Sequence, residues 1–436
     1  MLNLRKLVYT SLFSCTENEK YSNIEADTVL KRNDLTGTER AFYTAFFYGV
    51  TERQITLDHQ IKKLSSTPIE KLQIKVLILL RMGLYQILYM DSVPDHAAVN
   101  ETVSLAKETV NKGAVGYING ILRAATRELK TADGKVKLLT PSREKDICGH
   151  LSITYSYPRY LCKLWINAYG EENAEKIMKA QNERNVTTIR VNTLKTTRKE
   201  YLNKLKEAQI KALPSENTAD GIHLTSGAAI TSLPDFENGA FFVQDDSSRL
   251  CVEALDPHEG DNVLDACACP GGKSFASAIK MNNVGNVTSC DLHESKLSLI
   301  EGGADRLGIT IISAMQADSA VYNPEWEEKF DRVLCDVPCS GFGTISKKPD
   351  LRLKTADSVK ELPSLQLSIV FNCAKYVKKG GTLVYSTCTL NPAENEENVA
   401  KFLKNNSDFA LLSQTTKFPF EGELDGFFFA KLQKKY

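Results

Sequence analysis

The spacing of apolar residues predicts helices throughout the first 130 residues. Apolar side chains recur there at the three- and four-residue intervals of amphipathic helices, in segments 35–49, 70–89, 97–110 and 117–129. Thr36 stands three residues before Glu39, a pairing that caps helices at their N-termini. We therefore expect an all-helical domain over residues 1–130.

A different pattern follows a polar stretch at 130–143. That stretch contains Asp133-Gly134 and Pro141, which favour turns, and we interpret it as a linker. Residues 144–230 then mix helices and strands, with helices predicted at 158–168 and 172–182 and strands at 188–192 and 221–224. This mixture predicts a small α+β module over residues 144–230.

Strands alternate with helices over residues 231–436. Strands are predicted at 262–266, 286–290, 309–314, 332–335 and 381–386, with two more at 409–412 and 426–432. Helices are predicted between them at 273–279, 295–307 and 362–376. Repeated β-α-β units form mostly parallel, doubly wound sheets. The third domain is therefore predicted to be a Rossmann-like α/β domain.

Composition places the chain among soluble globular proteins. Its 42% hydrophobic and 25% charged residues are typical of that class, and 436 residues are enough for two or three domains. No apolar run reaches the roughly 18 residues of a membrane span. Arg5 and Lys6 interrupt the mildly apolar first residues, which make a poor signal peptide. We expect a cytoplasmic protein with no membrane partner.

The 11 cysteines are predicted to be reduced thiols, because their number is odd and no export signal precedes them. They form no CxxC pair, and no histidine stands near them at metal-binding spacing. The sequence therefore predicts no metal site.

Net charge sums to zero but is unevenly distributed. It is +3 over residues 1–130, +5 over 131–230 and −8 over 231–436. Basic front domains fit a polyanion such as RNA. Random scatter gives excesses of this size too, and charge alone leaves both interpretations open.

A glycine-rich turn follows the first predicted strand of the third domain. It reads Cys267-Ala268-Cys269-Pro270-Gly271-Gly272-Lys273, and its two glycines let the backbone approach a ligand closely. Asp291 ends the next strand and suits a ribose diol. Asp318 and Asp336 follow the two strands after that. Three acids at successive strand ends favour a nucleotide-derived cofactor over three solvated loop residues.

Two nucleotide-binding motifs are absent from this turn, and their absence limits which cofactor it can bind. GxGxxG is absent, which argues against a dinucleotide site. Gly272-Lys273-Ser274 imitates the end of a phosphate-binding loop, but Cys267 stands where that loop requires its first glycine. The pattern therefore favours S-adenosylmethionine over NAD or ATP.

Two cysteines stand at predicted strand ends, Cys339 in Asp336-Val337-Pro338-Cys339-Ser340-Gly341 and Cys388 in Ser386-Thr387-Cys388-Thr389. A thiolate that attacks C6 of cytosine makes an enamine, which can take a methyl group at C5. The reaction also needs a group near N3 and a base for the C5 proton. Cys388, Asp336 and Cys339 can fill these three roles. The alternative is that both cysteines are small buried hydrophobes.

At these residues the sequence closely resembles the RNA cytosine-C5 methyltransferases. The segment Asp265–Lys273 resembles the first motif of that family, the Pro338-Cys339 segment its fourth, and Thr387-Cys388 its sixth. Two cysteines, in Pro-Cys and Thr-Cys, resemble the RNA enzymes and not the DNA enzymes, whose nucleophile is in Pro-Cys. The resemblance implies that Cys388 is the nucleophile and that Cys339 helps to release the product.

The front of the chain is similar to a NusB-type RNA-binding domain. The resemblance is carried by Leu80-Arg81-Met82-Gly83-Leu84-Tyr85-Gln86, Val93-Pro94-Asp95-His96-Ala97-Ala98-Val99-Asn100-Glu101 and Asn119-Gly120-Ile121-Leu122-Arg123. Joined to this catalytic domain, it resembles the RsmB (Sun/Fmu) family. That implies S-adenosylmethionine-dependent formation of 5-methylcytosine at one position of 16S ribosomal RNA, by an enzyme expected to be a monomer.

The chain departs from the family pattern at a few positions. Cys269 replaces an alanine, Ser346-Lys347-Lys348 replaces an arginine-rich stretch, and Leu353 stands where tryptophan is common. These departures weaken any transfer of RNA contacts near 344–354. Two alternatives also remain: the same chemistry on tRNA or another rRNA site, and a non-catalytic RNA-binding factor of the antitermination type.

Overall fold

The computed structural model describes residues 3–18, 20–183, 186–225, 229–422 and 424–435. The chain divides into two compact units. Unit 1 is Met1–Asn182 together with Lys347–Lys354, and unit 2 is Glu183–Ser346 together with Thr355–Tyr436. The division into domains at 1–130, 144–230 and 231–436 stays a prediction.

Unit 1 is helical, as the apolar spacing predicts for residues 1–130. Its described part contains the helices α1 (Leu4–Glu17), α2 (Ser22–Arg32), α3 (Gly37–Glu52), α4 (Gln54–Leu64), α5 (Ile74–Tyr89), α6 (Asp95–Thr109), α7 (Lys112–Glu128), α8 (Ile147–Tyr155) and α9 (Arg159–Ala180). Gly170, with φ of 82°, interrupts α9. This kink explains why the sequence predicts two helices there. The predicted capping box is present, because Thr36 and Glu39 bond reciprocally at the start of α3.

A short segment from far along the chain belongs to unit 1. Within Lys347–Lys354 the side chain of Arg352 is 1% exposed. Its guanidinium donates to the carbonyl of Ser156 (3.3 Å) and to Oδ1 of Asn182 (2.7 Å), and it lies over the ring of Tyr157. A buried, bonded guanidinium of this kind holds the segment in place.

Unit 2 begins with a four-stranded antiparallel sheet in the order β2-β3-β1-β4. Its elements are β1 (Thr187–Val191), α10 (Arg198–Glu207), β2 (Ala212–Pro214), β3 (Gly221–Leu224) and β4 (Phe241–Val243). Its core is formed by Ile189, Tyr201, Ile222 and Phe241, all fully buried. Strands β1 and β3 lie where strands are predicted at 188–192 and 221–224. The helices predicted at 158–168 and 172–182 form α9 in unit 1, and the grouping of residues 144–230 into one module stays a prediction.

A seven-stranded sheet follows, in the order β10-β11-β9-β8-β5-β6-β7. The elements are α11 (Asp246–Leu255), β5 (Asn262–Asp265), α12 (Gly272–Lys280), β6 (Asn286–Asp291), α13 (Leu297–Leu307), β7 (Ile312–Gln316), β8 (Phe330–Asp336), α14 (Leu362–Tyr376), β9 (Val377–Thr387), α15 (Glu396–Asn405), β10 (Phe409–Lys417) and β11 (Phe427–Lys434). Strands β5 to β9 are parallel, and β10 and β11 pair antiparallel. The predicted Rossmann-like fold is confirmed.

The central strands are buried on both faces, as their continuous apolar runs require. Leu383, Val384 and Tyr385 of β9 are at most 1% exposed. Because β5, β8 and β9 are parallel, their carboxyl ends meet at one edge of the sheet, where such folds bind ligands. Among the described residues, no helix is both long and apolar enough to cross a membrane.

Candidate active site

The carboxyl edge of the sheet brings the two predicted cysteines together. Strands β8 and β9 pair in register, with Asp336 opposite Ser386. Cys388 follows directly after β9, and Cys339 lies three residues after the end of β8. Their Sγ atoms are 3.4 Å apart. The two thiols are thus close enough to act on one small group.

Cys339 is a protonated thiol before any reaction. Its hydrogen bond with Cys388 raises its pKa well above the ordinary value, and burial and the charges of Cys388, Glu394 and Asp336 raise it further. A thiol in this setting holds its proton near neutral pH.

Backbone bonds fix the loops that carry these thiols. The N–H of Val337 donates to the carbonyl of Ser386 (3.1 Å), and the N–H of Gly343 donates to the carbonyl of Cys388 (3.0 Å). The loop after β8 is therefore tied to the end of β9 on both sides of Cys339.

The predicted residues Lys273 and Asp336 form an ion pair. Lys273 Nζ lies 2.5 Å from Asp336 Oδ2, and Ser386 Oγ donates to Asp336 Oδ1 (2.9 Å). Burial lowers the pKa of Lys273, but the charge and hydrogen bond of Asp336 outweigh burial and raise it overall. Lys273 therefore stays protonated, and its contact with Asp336 links the glycine-rich turn to the loop that carries Cys339.

A cavity of about 170 Å³ lies against the glycine-rich turn. Seven residues that the sequence predicts for the cofactor site line this cavity: Cys267, Ala268, Cys269, Pro270, Gly272, Lys273 and Asp336. Five other residues complete the lining: Val243, Gln244, Asp245, Ser248 and Asp265. Gly271 shapes the turn and does not line the cavity. Its φ is 105°, and a Cβ there would lie 2.5 Å from the ring of Phe275.

Asp291 and Asp318 lie at the same edge but outside the lining of the cavity. Asp291 is the last residue of β6. Burial raises the pKa of Cys269, and the negative charge of Asp291 raises it further, so this carboxylate is close enough to the turn to affect its side chains. Asp318 is exposed and accepts the N–H of Ala320 (2.9 Å). The neighbouring Ser319 hydroxyl donates to the carbonyl of Ala266 (2.5 Å).

Two buried polar atoms beside the cavity have no hydrogen-bond partner among the described residues. They are Asp265 Oδ1 and Gln244 Nε2. Arg190 donates to the Oε1 atom of Gln244 (2.9 Å), and a Cβ on Gly272 would lie 3.4 Å from Nε2, so the amide faces the turn. An unpaired acceptor, an unpaired donor and Lys273 suit a ligand with amino and carboxylate groups, such as the methionine part of S-adenosylmethionine.

Sequence reasoning missed Gln244 and Asp265 as cavity residues. Asp265 ends β5 just as Asp291 ends β6, so the rule that selected Asp291 applies to it equally. Gln244 directly follows β4, a strand that the apolar pattern does not predict, but the segment 244–248 fits the family resemblance, and that signal could have identified it. Within the described ranges, no three His, Cys, Asp or Glu side chains come together as a potential metal site.

Asp265 makes stability depend on pH. Burial raises its pKa to about 6, whereas an aspartate in an unfolded chain has a pKa of about 4. Above pH 7 the charged carboxylate of Asp265 therefore lowers the free energy of unfolding by about 3 kcal/mol. This loss shrinks as the pH falls through 6, and it is gone below pH 4, where Asp265 is protonated in both the folded and the unfolded chain.

We expect Asp265→Asn to stabilise the ligand-free protein relative to the wild type near pH 8. Because the wild type regains stability on protonation, this difference should shrink by about 2–3 kcal/mol towards about pH 4.5. Chemical unfolding across this range measures it, with Asp305→Asn on the exposed face of α13 as the control for a lost surface charge. A pH-independent difference for Asp265→Asn would contradict a buried charge at this position.

Family models match three parts of the chain. The model described as 16S rRNA methyltransferase RsmB/F matches residues 252–433, and the NusB family model matches residues 2–127. The model of the RsmF/B-like ferredoxin-like domain matches residues 157–231. The matches cover both units.

Curated relatives match the chain over its whole length. The probable ribosomal RNA small subunit methyltransferase B of Bacillus subtilis is 38% identical, covering 99% of this chain and 99% of its own. The ribosomal RNA small subunit methyltransferase B of an Escherichia coli strain is 34% identical at the same coverage. The crystal structure of PH0851 has a TM-score of 0.81 at 25% identity and covers 99% of this chain and 98% of its own.

Proposed function

Because the chain belongs to the RsmB/F family of 16S rRNA methyltransferases, we propose that it methylates C5 of one cytosine in small-subunit rRNA through a covalent Cys388–C6 adduct. It is an S-adenosylmethionine-dependent rRNA methyltransferase. The observation that carries the covalent route is the 3.4 Å separation of the Cys339 and Cys388 sulfurs. Asp336, which ends β8 three residues before Cys339, lines the cavity at the glycine-rich turn.

Cys388 is the nucleophile in this proposal. Its thiol gives up a proton to water, its sulfur bonds to C6 of cytosine, and the electron pair of the C5=C6 bond moves to C5. Asp336 accepts a hydrogen bond from Lys273, and it is assigned to the N3 side of the base. S-adenosylmethionine supplies an electrophilic methyl group when bound.

Cys339 releases the product in this proposal. The C5 proton must leave before the C5=C6 bond can re-form and the sulfur–C6 bond can break. A thioether at Cys388 can no longer hydrogen-bond as a thiol or carry charge, and these interactions raise the pKa of Cys339 in the free enzyme. Formation of the adduct therefore makes Cys339 easier to deprotonate and more available as the base.

The cofactor is assigned to the turn 267–273 with Asp291, Asp318 and Asp336. Gly272 and the N-terminus of α12 present backbone N–H groups, and Lys273 offers a buried charge. Asp291 is assigned to the ribose hydroxyls, since it ends β6 next to β5.

Asp291→Ala should lower affinity for S-adenosylmethionine by about tenfold or more and leave RNA affinity nearly unchanged. Two charge-assisted hydrogen bonds of roughly 1.5–3 kcal/mol each are lost. Isothermal titration calorimetry measures the cofactor, and Asp305→Ala controls for removal of an exposed acid on α13. Unaltered cofactor affinity would remove Asp291 from the site.

RNA binding is assigned to residues 1–130 and 131–230, whose net charges are +3 and +5, because residues 231–436 are net acidic. The alternative of a non-catalytic RNA-binding factor is disfavoured by the two adjacent thiols and by the family. The assay below uses different transcripts as substrates, which distinguishes the proposed activity from methylation of tRNA or of another rRNA site.

The test uses transcripts of small-subunit rRNA that contain 5-fluorocytidine. Fluorine at C5 cannot leave as a proton does, so an enzyme with this mechanism stays bound through Cys388. We expect a complex that survives denaturation, requires S-adenosylmethionine and is absent with Cys388→Ala. Methyl transfer to the unmodified transcript without such a complex would refute the covalent route, and a complex with tRNA transcripts alone would refute the rRNA assignment.

A further inference from the structure

Two consecutive polar residues between β9 and α15 are completely buried. Glu394 and Asn395 are both 0% exposed. Glu394 has so far entered only through the effect of its charge on the pKa of Cys339, and Asn395 has not been considered. Buried polar side chains of this kind must be hydrogen-bonded, and their partners indicate what they hold in place.

Glu394 binds the residue that follows Cys339. Its Oε2 accepts the backbone N–H of Ser340 (2.9 Å), and its Oε1 accepts the Ser340 hydroxyl (2.6 Å). Gln366 donates to Oε2 (2.9 Å) and also to the carbonyl of Pro338 (3.0 Å). The carboxylate therefore fixes the chain before and after Cys339.

Asn395 binds the residues on both sides of Cys388. Its Oδ1 accepts the hydroxyl of Thr387 (2.6 Å), and its Nδ2 donates to the carbonyl of Thr389 (2.9 Å). Both threonines are 0% exposed. The side-chain amide of Asn395 therefore fixes the chain directly before and directly after Cys388.

The two sets of contacts are joined. The hydroxyls of Ser340 and Thr389 lie 2.6 Å apart. The loop that carries Cys339 and the strand end that carries Cys388 are therefore held by one continuous polar network, and its shared centre is the Glu394-Asn395 dipeptide.

We propose that Glu394 and Asn395 are positioning residues for the two thiols, Glu394 for Cys339 and Asn395 for Cys388. This inference rests on the proposed covalent function. It predicts that the two side chains affect different steps: Asn395 affects formation of the adduct, and Glu394 affects its release.

Glutamine is an informative replacement for Glu394. The carboxylate accepts four hydrogen bonds, from the Ser340 N–H and hydroxyl, from Gln366 and from Asn391. A glutamine of the same size must turn an NH2 group towards two of these donors, which breaks those bonds. Asn395→Asp is the corresponding change at the next position, because it retains the acceptor for Thr387 and loses the donor to Thr389.

The experiment measures two steps with the full-length protein and S-adenosylmethionine. The rate of complex formation with the 5-fluorocytidine transcript of small-subunit rRNA reports attack by Cys388. With the unmodified transcript, the fraction of enzyme in denaturation-resistant complex during turnover reports release. Tyr376→Phe removes a partly buried hydrogen bond from the Asn323 N–H elsewhere in unit 2 and controls for general loss of stability.

Glu394→Gln should raise the fraction trapped on unmodified RNA by about tenfold, with near-normal attack on the fluorinated transcript. The substitution also removes a charge that raises the pKa of Cys339, but displacement of the loop that carries Cys339 outweighs this effect on release. Asn395→Asp should slow attack by about tenfold and trap nothing extra. Ser340→Ala keeps the backbone bond to Glu394 and should show a weaker form of the Glu394→Gln effect, which allows the test to proceed if the glutamine variant does not fold.

Variants whose attack rate and trapped fraction match those of Tyr376→Phe would overturn the positioning role. So would equal effects of both substitutions on both steps. Failure of the wild-type enzyme to form any complex is a separate result, because it refutes the covalent mechanism itself.

Discussion

Replacing Cys388 with alanine should abolish methyl transfer. The sulfur forms the bond to C6, and no other described side chain except Cys339 presents a thiol at this position. Loss of a catalytic nucleophile lowers turnover by about 10⁴-fold or more. Transfer of a tritiated methyl group to small-subunit rRNA measures the effect.

Cofactor binding should survive this change. The turn 267–273 lies in its own loop after β5, so calorimetry should give nearly wild-type affinity for S-adenosylmethionine. Cys148→Ala is the matched control, because Cys148 is likewise a partly buried cysteine outside any disulfide but lies in α8 of unit 1. Substantial methylation by the Cys388→Ala enzyme would show that the nucleophile is misassigned.

Replacing Cys339 with alanine should give the opposite signature. Without the base that takes the C5 proton, the methylated adduct persists, and most of the enzyme should accumulate as a denaturation-resistant complex with RNA. Gel electrophoresis under denaturing conditions detects it. Adding Cys388→Ala should remove the complex, because the bond to C6 is then never made.

The double variant makes this prediction specific. A Cys339→Ala enzyme that turns over cleanly and accumulates no adduct would exclude Cys339 from the mechanism. A complex that persists in the double variant would show that the trapped bond does not involve Cys388.

Much of the site followed from strand ends. Parallel strands place their carboxyl ends at one edge, so a sequence that puts Asp336 and Cys339 after one buried strand and Cys388 after another predicts that they meet. Helix α14 was predicted with its observed bounds, 362–376, because its apolar spacing is regular and Pro363 lies in its first turn.

The predicted bounds are less accurate for helices and strands whose apolar patterns are weak. The strand predicted at 309–314 is β7 at Ile312–Gln316, because β7 is an edge strand with exposed positions such as Met315 and lacks a continuous apolar run. Helices α1 and α2 were not delimited at all. The apolar residues Leu4, Leu7, Val8 and Leu12 of α1 do recur at helical spacing, so this helix was predictable. The apolar residues of α2 are few, and packing within unit 1 stabilises that helix more than local propensity does.

Contacts between segments that lie far apart along the chain could not be predicted from the sequence. Arg352 stands in a stretch that departs from the family pattern, yet its burial among carbonyls of unit 1 depends on residues about 170 to 300 positions away. The partners of Gln244 and Glu394 depend on the folded structure in the same way. A removal of residues 1–130 would therefore also deprive the segment Lys347–Lys354 of the carbonyl of Glu52.

The most direct measurement of the central claim is a map of modified cytosines in small-subunit rRNA. Unmodified transcript is incubated with the purified enzyme and S-adenosylmethionine, and 5-methylcytosine is located by bisulfite sequencing, with the Cys388→Ala enzyme in parallel. We predict one cytosine that becomes resistant to conversion with the wild-type enzyme and none with the variant. Methylation at a nitrogen, at a ribose hydroxyl or on no nucleotide of this RNA would contradict the account.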